Sequence, residues 1–425
     1  MKLALIVALI AAARTGVAAQ SNVAVREIGR LERVSTPPFQ SVSKVLAMPD
    51  GRVLVNDGRG RRLVMLDSTL SRETVIADTM GANADEYARG SGEILFRFRG
   101  DSALLVNIST LVGLVVGPDG KVARVLAFPP PPGHPVGQQV VMGGRGDGPG
   151  IDARGRLVYF SDGGGTGFGI MMLPLGFKID SAAMATMPGL ARTVHQTDSL
   201  PIWRVDLTTR HFDTLTVIKV PMFRTNLKTD ASGGLTAIEL VPDLLPTVDD
   251  FVTLRDGTIA VVRGRDYHID WFDGSGRMTS TPKMPFAWER LSDERRNAIA
   301  DSAVKEMQAQ FDRNANANTG RGGRASPVAR APNVAVRPSA AAMPEYVPAF
   351  VRGDVRGDAE GNVWIRTSTK IKDRPVYDVV NRKGELFDRV QLPAFRVIAG
   401  FAPGVVFMAV QDSSNVVRIE RARIH

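Results

Sequence analysis

Val42-Ser43-Lys44-Val45-Leu46-Ala47-Met48-Pro49-Asp50-Gly51-Arg52-Val53-Leu54-Val55 sets the pattern for the whole chain. An apolar run reaches a Pro-Asp-Gly turn, and a second apolar run leaves it at once. Asp-Gly between apolar runs is the strongest short signal for a β-hairpin, because glycine tolerates the positive φ of a tight reversal. A continuous apolar run after the turn suits a strand buried on both faces.

The arrangement returns five times. Turns at Arg99–Ser102, Asp152–Gly155, Arg255–Gly257, Asp358–Gly361 and Ala402–Gly404 lead into Leu104–Val106, Leu157–Phe160, Ile259–Val262, Val363–Ile365 and Val405–Met408. Five of the six units carry a second hairpin with alternating apolar and polar residues. In the first, Leu63–Leu66 turns at Asp67-Ser68 into Thr74–Ala77; in the fifth, Val376–Val380 turns at Asn381–Gly384 into Leu386–Leu392. Two hairpins make a four-stranded antiparallel sheet, which is one propeller blade. The sixth unit stops at its third strand, Val416–Arg421. Val23–Val34 reads as a strand without a hairpin partner and is expected to complete that blade, closing the ring and removing an exposed edge.

On these hairpins the chain resembles six-bladed β-propellers of the NHL and TolB-like kind, from Val23 to His425. The resemblance implies an all-β fold of four-stranded antiparallel blades. Gly51, Gly100 and Gly155 follow at steps of about 50 residues, as blades with generous loops do, whereas the steps to Gly257 and Gly361 are about twice that. Two insertions, 161–199 and 285–346, account for the excess. The first holds the glycine cluster Gly163–Gly169; no helix with Lys-Ser/Thr follows, so it is no phosphate loop and is expected to be flexible. The second opens with a helix expected over 292–311, capped by Ser292, with Asp293 and Glu294 at its positive end. Ala300, Val304, Met307 and Phe311 give that helix one apolar stripe. Residues 313–344 contain five arginines and no acid and read as a disordered basic linker.

Lys2, the apolar run Leu3–Ala13 and the small residues Val17-Ala18-Ala19 form a signal peptide over residues 1–19, leaving a single domain over 20–425 in the periplasm or outside the cell. The run is shorter than the ~20 apolar residues that span a bilayer. Cysteine is absent, which excludes disulfides, thiolate metal sites and a cysteine nucleophile. The net charge is +9, or +7 without Lys2 and Arg14. Such an excess suits an anionic partner or a soluble basic surface. An exported address excludes nucleic acid, and a monomer is expected.

His134, His195, His211, His268 and His425 are not at metal-ligand spacing, and no Gly-x-Ser-x-Gly elbow, His-Glu-x-x-His or nucleotide fingerprint occurs. Arg145-Gly146-Asp147 is read as a chance match in a glycine-rich turn, and Asp249-Asp250 as a turn. Loops between second and third strands share one propeller face. They carry Arg59, Arg61 and Arg62 in the first unit, Arg263 and Arg265 in the fourth, and Arg366, Lys370, Lys372 and Arg374 in the fifth. Converging guanidinium groups suit carboxylate, phosphate or sulfate.

The leading expectation is therefore a non-catalytic exported binding or scaffold propeller without cofactor, recognising an anionic small molecule or glycan, or an envelope or secreted protein. The alternative is a metal-assisted, lactonase-like hydrolase. Regucalcin-type lactonases hold a channel metal with Glu, Asn and Asp, and quinone-dependent sugar dehydrogenases pair a channel histidine with calcium. Asn56, Asn107 and Asp162 end second strands and are the residues that would hold calcium here, but the matching glutamate motif is missing.

Overall fold

A computed structural model of the chain describes residues 23–79, 93–107, 110–132, 142–143, 147–161, 173–186, 190, 198–221, 224–320 and 330–425. The expected signal peptide, the Gly163–Gly169 cluster, His134 and His195 lie outside them.

Six blades are present. Blade one is Lys44–Ala47, Val53–Asp57, Arg62–Leu66 and Glu73–Ala77. Blade two is Glu93–Arg97, Ala103–Asn107, Val112–Val116 and Val122–Ala127. Blade three is Gly150–Ile151, Leu157–Ser161, Ser199–Val205 and Phe212–Lys219, with Met142–Gly143 also pairing its second strand. Blade four is Asp250–Thr253, Ile259–Arg263, His268–Phe272 and Met278–Ser280. Blade five is Phe350–Gly357, Val363–Ile371, Arg374–Val380 and Leu386–Gln391. Blade six is Arg396–Ala402, Val405–Gln411, Val417–Arg423 and, from the other end of the chain, Leu31–Val34.

Closure is thus as expected for Leu31–Val34, which pairs antiparallel with Val417–Arg423. Val25–Glu27 does something else. It runs parallel to Leu386–Gln391 as a fifth strand on blade five, held by a bidentate pair from Arg26 to Asp388. The segment therefore staples two blades.

The core is divided among the seams. Six separate clusters of buried apolar side chains lie between blades one and two, two and three, three and four, four and five, five and six, and six and one. One core per seam, including the seam formed by the two chain ends, closes the ring. Second strands such as Val53–Asp57 are buried throughout, as their unbroken apolar runs dictate. Third strands are buried too (four of five residues in Arg62–Leu66), because a neighbouring blade covers both faces. Only fourth strands such as Met278–Ser280 are outer strands in the sense the sequence suggested.

One turn chemistry recurs. Asp152, Asp230, Asp273, Asp358 and Asp412 each accept, at Oδ1, from the N–H groups two and four residues on, and Asn381 does the same. The Asx side chain takes the place of a backbone acceptor, and the glycine three residues on, or Asn415 in the last turn, supplies positive φ. Gly257 meets a second demand: a Cβ there would sit 2.1 Å from the Ala153 nitrogen in the next blade's turn.

The insertions leave from one face, since second-to-third-strand loops and links between blades lie on the same side of an antiparallel blade. They form one small lobe. Arg224–Thr229 and Leu235–Val241 form a hairpin in the link between blades three and four, and Asn333–Ala335 joins it in parallel from the next link. Leu173, Leu190, Leu235, Ile238, Leu240 and Ala331 are its core, with Phe311 packed against them. The helix starts as expected, with Ser292 Oγ accepting from the Arg295 N–H, but extends over Asp293–Gly320 rather than to 311. The segment expected as a disordered linker is ordered from Arg330 onward, where it supplies that strand and the 3-10 turn Ala340–Ala342; residues 321–329 lie outside the described set.

Candidate anion site in the central channel

A cavity of about 660 Å³ follows the ring axis and opens on the face opposite the lobe. First strands and their turns from all six blades line it, among them Lys44, Arg97, Asp147, Arg255, Gly357 and Gly400.

Its mouth is rich in guanidinium groups. Arg97 ends the first strand of blade two and donates to the Ala47 carbonyl of blade one at 2.5 Å. Arg99 and Arg154 sit in the first turns of blades two and three, and Arg255 in that of blade four. Arg99 donates to the Gly155 carbonyl at 3.0 Å; the Arg154 side chain makes no ion pair among the described residues. Burial and the like charge of Arg255 lower the pKa of Arg97, with Asp101 acting the other way. Of the nearby acids, Asp101 stands 3.6 Å from Arg255, and the others are engaged elsewhere. Asp152 binds the Arg156 guanidinium and its own turn, Asp256 binds Arg382 at 2.7 Å, and Asp358 binds its turn and the Trp364 indole N–H. The arginines at the mouth are therefore under-compensated, which is the condition for attracting an anion.

Deeper in, Lys44 Nζ pairs with Asp147. Asp147 Oδ2 also accepts from the Gly357 N–H at 3.2 Å, its carbonyl accepts from the Thr253 N–H at 3.2 Å, and Arg356 Nε stands 4.0 Å from Oδ1. One acidic residue thus ties blades one, four and five together beside the axis. The Arg-Gly-Asp match is accordingly no exposed recognition loop at Asp147, whose side chain is 10% accessible. Asp249 accepts from the Lys219 and Gly264 N–H groups and from Arg263, and Asp250, which begins the first strand of blade four rather than a turn, from those of Phe251 and Gly353. Burial raises the Asp250 pKa.

The arginines expected on the opposite face divide into two groups. Arg62 pairs with Asp57 and Glu73, Arg263 with Asp249 and Asp270, Arg366 with Asp354, and Arg374 with Glu27. Arg59, Arg61, Arg265, Lys370 and Lys372 are exposed. Arg59 and Arg62 line a shallow pocket beside Phe39, and it holds none of the cations of blades four and five. Asn56 does not face the channel mouth; its amide donates to the Glu93 carbonyl at 3.0 Å, and the Asn107 side-chain Oδ1 accepts from the Thr110 N–H. Asp162 lies outside the described residues. Among the described residues no three His, Cys, Asp or Glu side chains are grouped to hold a metal.

The sequence reading placed the anion-binding cations on the lobe face and not at the channel mouth. The signal was present: Arg99, Arg154 and Arg255 fall within the same turn of three successive units.

No family model matches the chain, and no curated protein matches it. Similar solved structures include regucalcin, a calcium-binding protein from Agrobacterium tumefaciens (TM-score 0.39, 10% identity, 94% of this chain and 97% of that one). A gluconolactonase from Xanthomonas campestris has a TM-score of 0.36 at 9% identity, covering 94% of this chain and 99% of its own. A catalytically inactive virginiamycin B lyase from Staphylococcus aureus, solved with quinupristin, has 0.33 at 11%, covering 89% and 80%. All three TM-scores are below 0.5, so the blade count rests on the strand pairing and the six seams.

Proposed function

We propose that this chain is an exported propeller that takes a small anion, a carboxylate, phosphate or sulfate, into the mouth of its central channel. The observation that carries the reading is a channel mouth lined by Arg97, Arg99, Arg154 and Arg255 from three blades, where Arg97 feels the like charge of Arg255 and, Asp101 apart, the nearby acids are committed to turns and to other arginines. Two guanidinium groups suit bidentate recognition of a planar or tetrahedral anion. Export rests on the leader at residues 1–19, and the finer likeness to NHL and TolB-like propellers on the hairpin chemistry alone. A thermal-shift screen of the mature protein against phosphate, sulfate, gluconate and citrate tests the reading. Stabilisation by anions beyond that of matched chloride supports it, and none across the panel refutes it.

A second reading places lactone hydrolysis in the same channel. Gluconolactonase is what the Xanthomonas protein is described as, and opening a lactone yields a hydroxy acid whose carboxylate is the kind of group this mouth attracts. Turnover in a lactone panel, with and without added calcium, distinguishes a catalyst from a binding protein. The exposed cations Arg61, Arg265, Lys370 and Lys372 on the lobe face are the proposed contact for an anionic glycan or envelope protein.

A further inference from the structure

We propose that Lys44 forms an imine with a small 2-oxo acid held in the channel, its carboxylate on Arg97. The inference rests on the channel reading above and deepens it to a substrate class.

Lys44 begins the first strand of blade one and lines the cavity, with 16% of its side chain accessible. A lysine attacks a carbonyl only as the neutral amine, and enzymes obtain that form by desolvation and by a neighbouring cation. Both conditions are met. Burial lowers the Lys44 pKa, Asp147 opposes this, and the charges of Arg356 and Arg97 lower it further. Arg97 is anchored to the Ala47 carbonyl, in the same strand as Lys44. Lys44 and Arg97 line the same cavity, and in a 2-oxo acid the carbonyl carbon is bonded directly to the carboxylate carbon, so a carboxylate held on Arg97 places the electrophile inside the cavity that Lys44 lines.

The step balances without an oxidant. Asp147, already paired with Nζ, takes one proton from the ammonium; the freed Nζ lone pair bonds to the carbonyl carbon, the C=O π pair moves to oxygen, and Asp147 delivers that proton to it. Asp147 then takes a second proton from the nitrogen and passes it to the hydroxyl. Water leaves as the nitrogen lone pair forms the C=N bond.

The test is reductive trapping. The mature protein is incubated with pyruvate and cyanoborohydride, then analysed by intact mass and peptide mapping. One adduct per chain at Lys44, forming at least about tenfold faster than at exposed lysines and slowed by inorganic phosphate, is expected. Lys44→Arg keeps the positive charge facing Asp147, should fold by circular dichroism, and should give no adduct in that peptide. Label spread over surface lysines, or absent from Lys44, overturns the proposal. Phosphate titration of the same sample separates the two readings: phosphate binding without labelling removes the imine alone, while loss of both removes the channel reading as well.

Discussion

Asp101 in the first turn of blade two and Arg255 in that of blade four approach to 3.6 Å at the channel mouth, above the two-residue first strand of blade three. Both side chains are half exposed, so the pair is worth at most about 1 kcal/mol. Asp101 is the nearest internal competitor for an anion. Asp101→Asn should therefore tighten anion binding by about two- to fivefold, read by calorimetry. Unchanged or weaker binding would place the ligand away from Arg255.

Asp358 carries more than its own turn. It accepts from the N–H groups of Glu360 and Asn362, from the Asn362 amide and from the buried Trp364 indole. Asp358→Ala leaves the indole N–H unsatisfied in the core of the seam between blades five and six and should cost about 2–4 kcal/mol. Asp412→Ala, in an exposed turn, should cost about 1 kcal/mol or less. Urea denaturation of the two variants decides; equal losses would show that burial of the Asp358 network does not matter.

Acid stability has two opposed contributors. Burial pushes the Asp270 carboxyl up, but the Ser280 hydroxyl and the Arg263 guanidinium outweigh it and hold the pKa below the ordinary value. Its stabilisation is full above that ordinary value and is lost as pH falls through the lowered folded value. Asp270→Asn should then cost about 3 kcal/mol at pH 7, with a deficit that shrinks on acidification. Asp250 behaves oppositely, because burial raises its pKa. Its contribution is present at low pH and lost as pH rises from the ordinary value through the raised one. Asp250→Asn should therefore be more damaging at low pH than at neutral. Melting curves at pH 4 and 7 with parallel deficits in both variants would contradict this.

Ring closure is testable by truncation. Removing residues 23–34 takes the fourth strand from blade six and the fifth from blade five. The melting temperature should fall by at least about 5 °C, and the bared edge of Val417–Arg423 should promote self-association. Glu32→Gln removes only the ion pairs to Arg421 and Arg423 and should cost less than about 1 kcal/mol. A truncated chain that melts like the full one and elutes as a monomer would mean that the ring does not depend on this segment.

The blades were legible because their signal is local. Asp-Gly turns and unbroken apolar runs specify hairpins at short range, and six seams follow from six pairs of apolar faces. The lobe was only half legible. Arg224–Thr229 is largely polar and directs Leu227 to the lobe core, so it lacked the expected run, although Asp230–Gly233 carries the turn signature of the blades. The strand Asn333–Ala335 was hidden in a basic stretch and forms through pairing with Leu235–Val241, nearly 100 residues away. The channel site was least legible. Pairing with Asp249 and Asp270 commits Arg263 to the fold, whereas Arg97 and Arg255 line the channel mouth, and sequence does not reveal which arginines find acids.

The central claim is that the mouth holding Arg97 and Arg255 binds a small anion, and isothermal titration of phosphate and gluconate into the mature protein tests it most directly. The account predicts one site per chain, weakened at least about tenfold in the Arg97→Ala/Arg255→Ala double variant, since hydrogen bonds to charged groups are each worth about 1.5–3 kcal/mol. Equal affinity in the folded double variant, or no heat with the wild-type protein, would contradict it.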